Sequence, residues 1–110
     1  MSVMRSVCDR MSKEMFPAVR ALVARELVDV YGFSQRDAAF RMGITQPAIS
    51  QYRNNLRGSK VRLLKGNLKV FSLIQEAAAG LAKSRKRDNR EMIERDLCRI
   101  CKEIRGQNIA

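Results

Sequence analysis

The chain of 110 residues contains no histidine, and only 3 cysteines, 2 prolines and 5% aromatic residues. The missing histidine removes the commonest general base and the commonest nitrogen ligand for a metal together. No other side-chain set takes over that work. There is no nucleophile beside a base, no Gly-rich phosphate loop and no converging pair of carboxylates, so the sequence argues against an enzyme. Long apolar runs are lacking too. MSVMRSVCDRMSKEMF, residues 1–16, is broken by charges every few positions and carries no apolar region of the signal-peptide kind. Nothing approaches the ~20 apolar residues of a membrane span. These absences predict a cytoplasmic protein with no membrane partner, in a compartment where structural disulfides are rare. The thiols are left for metal binding, redox chemistry or simple burial.

What is present in excess is positive charge. Lys and Arg number 22 against 11 Asp and Glu, for a formal net charge of +11, and the excess is shared by both halves of the chain. Such a balance asks for a polyanionic partner, although a basic surface can also serve solubility alone, so a motif has to decide.

Scarce proline and aromatics, with abundant Leu, Ala, Met, Arg and Glu, favour helix over strand. Apolar residues recur at spacings of three and four, which predicts an all-α fold. Val3, Val7, Met11 and Met15 trace a short first helix. After Pro17, which suits a first helical position, Val19, Leu22, Val23, Leu27 and Val30 form one stripe that ends at Gly32. Ser34 caps a short helix to about Met42, Gly43 ends it, and Thr45 caps the next. NNLRGSK, residues 54–60, reads as a loop. A long helix from about Asn67 has Val70, Phe71, Ile74, Ala77, Ala78 and Leu81 on one face. The charged KSRKRDN, residues 83–89, connects it to a last helix, opened by Asp88 as cap with Glu91 reaching back, and striped by Ile93, Leu97, Ile100, Cys101 and Ile104.

SQRDAAFRMGITQPAISQYRNN, residues 34–55, is the most informative stretch. Two short helices meeting at Gly43 need a small residue at Ala39, where they cross most closely. They also need a left-handed conformation at Gly43 and apolar residues at Ala38, Met42, Ile44, Ile49 and Tyr52. All of these requirements are met together. The stretch resembles the helix-turn-helix of lambda-repressor-like and Cro-like (XRE-type) DNA-binding domains. With Cys8-Asp9, PAVRALVARELVDVYG (17–32), the TQPAISQY core and LCRICKEIR (97–105), nearly the whole chain is similar to a family of small archaeal predicted transcriptional regulators. Its members pair this motif with an N-terminal cysteine and a C-terminal CxxC.

The resemblance implies a lambda-repressor-like domain over residues 1–82 with an N-terminal helix. Residues 83–110 add a helix that packs within the same domain or forms a dimer interface. It implies a regulator whose helix 45–55 enters the major groove of double-stranded DNA, with Thr45 and Gln46 at its start. Gln46 is the first choice for a base contact, since glutamine can bond adenine with both ends of its amide. Ser50 and Gln51 come next, and Pro47 offers an apolar contact to a thymine methyl. Gln35 is expected to touch phosphate and brace the glutamine on the reading helix. Arg53, Asn54, Arg57 and Lys60 are candidate phosphate contacts, and Arg36 and Arg41 are solvated or lie near phosphate. One module reads one half-site, so a homodimer is expected, its interface built from helices within 67–105, with or without the N-terminal helix, against the alternative that these helices only complete the monomer's core.

Cys98 and Cys101 stand three apart, on neighbouring positions of a helix. Near a helix C-terminus the dipole opposes a thiolate, which fits thioredoxin chemistry poorly. With Cys8 as a third ligand, the set would suit zinc or an iron-sulfur cluster and make the regulator responsive to redox or metal state; burial as small apolar groups stays open. Two other functions also stay open: an antitoxin-like DNA-binding protein, and a protein-interaction or metal-binding module that never touches DNA.

Overall fold

The structure, a computed structural model, describes residues 15–54, Leu56, 59–84 and 89–107, with only the backbone at Ser59, Lys60 and Arg90. All the regular elements among them are helical, as the spacing predicts. Helix α1 spans Phe16–Arg25 with Pro17 in its first turn, and buries Ala18, Val19, Ala21, Leu22, Val23 and Ala24. A helix apolar nearly all round belongs at the centre of a fold, and α1 accordingly packs against three later helices.

From Glu26 to Val30 the backbone widens into a π-helical turn, and Tyr31 N–H donates to the Glu26 carbonyl five residues back. The wider turn shifts the phase of the apolar stripe. Leu27 stays buried, but Val30 is rotated outward and is 66% exposed, so it leaves the stripe that the sequence predicts. Gly32, at φ 75, turns the chain toward α2.

Helix α2 is Gln35–Met42 and α3 is Gln46–Asn54. Ser34 Oγ accepts from the Asp37 N–H at 3.1 Å, and Thr45 Oγ1 from the Ala48 N–H at 3.3 Å, so both predicted caps form. Gly43 sits at φ 71, ψ 31, where its N–H meets the carbonyl of Phe40 and the next residue's N–H meets that of Ala39. A β-carbon would strain this left-handed turn, which is why the glycine is there. Ala38, Ala39, Met42 and Ile49 are buried between the pair and α1, with Ile44 packed against them.

The next element is a correction. Part of the stretch expected as a loop, with the residues just after it, is helix α4, Ser59–Lys65, which buries Val61 and Leu64 three positions apart. Gly66 ends it, and Asn67 Oδ1 accepts from the Val70 N–H at 3.1 Å to start α5, Leu68–Lys83. Helix α5 buries Val70, Ile74, Ala77, Ala78 and Leu81, with Phe71 half-buried at the edge.

Helix α6, Arg90–Gly106, lies along α5 and adds Leu97, Ile100, Cys101 and Ile104 to the same core. It starts one residue later than expected, with Asn89 rather than Asp88 at its cap position. Asp88 lies outside the described residues, as does the predicted first helix apart from the buried Met15. The apolar stripes of α5 and α6 therefore complete the core of this one chain, and an interface between copies would have to use their outer faces. Among the described residues no helix is long and apolar enough to cross a membrane.

Candidate nucleic-acid interface

Helix α3 is short and polar, and its presentation depends on one anchor. Ile49 is its single fully buried side chain and points into the core from the middle of the helix. The opposite side carries Pro47, Gln51 and Asn54, all exposed, and Thr45 and Gln46 are exposed at the start of the helix. Proline here leaves no donor unmade, because the first-turn N–H groups have no partner within a helix.

Ser50 lies between these two sides, half-buried. Its hydroxyl donates to Gln35 Oε1 at 2.9 Å and ties the middle of α3 to the first turn of α2. The resemblance implies a brace from Gln35 to the glutamine of α3, whereas the bond that Gln35 makes runs to Ser50. Arg53 is likewise engaged. Its Nη2 lies 3.2 Å from Asp29 Oδ1, while Arg25 Nε lies 3.7 Å from the other oxygen of the same carboxylate. The π turn places Asp29 there, and the sequence offered no signal for it. Arg57 lies outside the described residues, and Lys60 is described only as backbone in α4.

Beside the start of α3, the outer side of the α2–α3 turn forms an open depression of about 700 Å³, lined by Arg36, Ala39, Phe40, Gly43, Ile44, Thr45 and Gln46. Phe40, a large apolar side chain, is 48% exposed at its edge, a residue that sequence reasoning passed over. Arg36 is exposed, as expected.

Arg41 is not a solvated or phosphate-facing side chain. Its guanidinium lies 4.4 Å from the centre of the Phe33 ring and donates to the carbonyls of Leu81, Ala82 and Ser84 at the end of α5. These carbonyls lie at the C-terminal end of α5, and a cation suits them on two grounds, hydrogen bonding and the helix dipole. The partners lie 40 or more positions away, which is why the sequence could not show them.

The cysteines divide between two environments. Cys98 is exposed, whereas Cys101 is 4% exposed and belongs to the core between α5 and α6. Cys8 lies outside the described residues, and among the described residues no three Cys, His, Asp or Glu side chains come together as a metal site. No family model, no curated protein and no solved structure matches the chain.

Proposed function

We propose that this chain is a sequence-specific DNA-binding regulator in which α2 and α3 act as a helix-turn-helix and α3 enters the major groove. The observation that carries this reading is the division of α3. One side is pinned in the core by Ile49, the other presents Pro47, Gln51 and Asn54 to solvent, and Thr45 and Gln46 are exposed at the helix start. A net charge of +11 supplies the attraction for a polyanion.

Gln46 and Gln51 are the base readers in this scheme, each with donors and acceptors that match base edges. Pro47 adds an apolar contact, and Thr45 and Asn54 flank them. Ser50 and Gln35 hold the reading helix at its angle to α2, a bond contributing roughly 0.5–1.5 kcal/mol. Arg53 stays available to phosphate, since an exposed ion pair such as the one with Asp29 contributes only about 0–1 kcal/mol and phosphate can replace the carboxylate. Two copies, bound one DNA turn apart, would give useful affinity, and this reading therefore includes a homodimer.

The test is selection from a library of genomic fragments at moderate salt, followed by binding to the enriched site across a salt series. Enrichment of a shared sequence, with affinity falling steeply as salt rises, is the expected result. Binding of all fragments alike would leave a basic protein without a reading function.

A further inference from the structure

Helix α6 packs along α5, yet its first residues are tied to α2 by polar bonds. Asn89 donates to the Arg41 carbonyl twice, from its backbone N–H at 3.2 Å and from Nδ2 at 2.8 Å. Asn89 Oδ1 in turn accepts from Ser84 Oγ at 2.7 Å, and Asn89 is 5% exposed. Arg41 thus bonds the end of α5 with its guanidinium and the start of α6 with its carbonyl. Met42, the next residue, buries its side chain in the core beside Leu81, Ile93 and Leu97, around a void of about 10 Å³ that is too small for a ligand.

We infer that Arg41 is a positioning residue for the reading helix: through it, the docking of α6 fixes the orientation of α2, and α2 holds α3 through Gly43 and the Gln35–Ser50 bond. The DNA consequence rests on the function proposed above; the mechanical coupling does not. What sets arginine apart from lysine here is its planar group, which stacks on Phe33 while one terminal nitrogen, Nη1, faces the carbonyls of Leu81, Ala82 and Ser84. Asn89 is equally specific, as it donates to one partner and accepts from another at a buried position.

The coupling is tested by a double-mutant cycle on the full chain, read by amide hydrogen exchange. Ile104→Val loosens α6 at the end remote from Arg41. With Asn89 in place, exchange should rise roughly threefold or more in α6 and also in α2 from Ala39 to Met42. In the Asn89→Ala background, which removes the side-chain bond from α6 to the Arg41 carbonyl, the same substitution should still loosen α6 but move α2 far less. If α2 ignores Ile104→Val while Asn89 is present, or if both respond equally in the two backgrounds, the joint transmits nothing and the inference is overturned.

Cys101 supplies a second readout. In a Cys8→Ser/Cys98→Ser background it is the remaining thiol of the 3, and a thiol reagent reaches it only when α6 lifts from α5. Asn89→Ala should speed its labelling roughly tenfold, and bound DNA should slow labelling with Asn89 present but not in Asn89→Ala. If labelling ignores Asn89→Ala, the joint does not hold α6 and the inference fails. Coupling by exchange without any selective DNA binding would mean that the function proposed for α3 fails while the joint stands.

Discussion

Helices α3 and α5 put their residues to opposite uses. Over 16 residues α5 buries five side chains, four of them completely, whereas the nine residues of α3 bury only Ile49. An element that serves the core is held by its own packing. One that presents a polar face borrows its position from neighbours, here Gly43, the Gln35–Ser50 bond and α1. Stability and recognition should therefore separate on mutation.

The largest expected effect is at the core. Ile74→Ala empties a fully buried site in α5 and should cost about 2–5 kcal/mol in denaturant unfolding while leaving the base preference of any bound DNA unchanged. Next comes Gly43→Ala, which forces a β-carbon into a left-handed turn and should cost about 1–2 kcal/mol, measurable as a lowered Tm. If it costs nothing, the turn is free to readjust and α3 is less firmly placed than the structure shows.

The smallest effect concerns pH. Asp96 is half-buried on α6, and burial holds its carboxyl above the usual range, with Arg99 and Arg95 pulling it back. A raised folded pKa means that its contribution to stability is complete below the unfolded pKa and is lost as pH rises through the folded one. Asp96→Asn should therefore remove that fall from the stability profile across the acid range, and a profile identical to the parent would remove Asp96 from that account.

Much of this arrangement could be read from the chain. The stripes of α5 and α6, the caps at Ser34 and Thr45 and the turn at Gly43 follow from spacing and from local backbone chemistry, which act over a few residues. What escaped depends on longer range or on a change of phase. Helix α4 hides beside Gly58 in a basic stretch because, among its described side chains, just Val61 and Leu64 are buried. Val30 left its stripe because a π turn breaks the period on which the stripe was drawn. Arg41, Asn89 and Asp29 act through partners that no local pattern names.

The most direct measurement compares two glutamines, both exposed, one on each helix. Gln46→Ala at the start of α3 and Gln75→Ala on α5 should each leave stability within about 0.5 kcal/mol. Competition binding with the selected fragment and single-base variants then decides. The account predicts that Gln46→Ala loses about 1–3 kcal/mol of discrimination at one base pair while Gln75→Ala loses none. Unchanged discrimination in both, or equal loss in both, would contradict the claim that α3 reads the sequence.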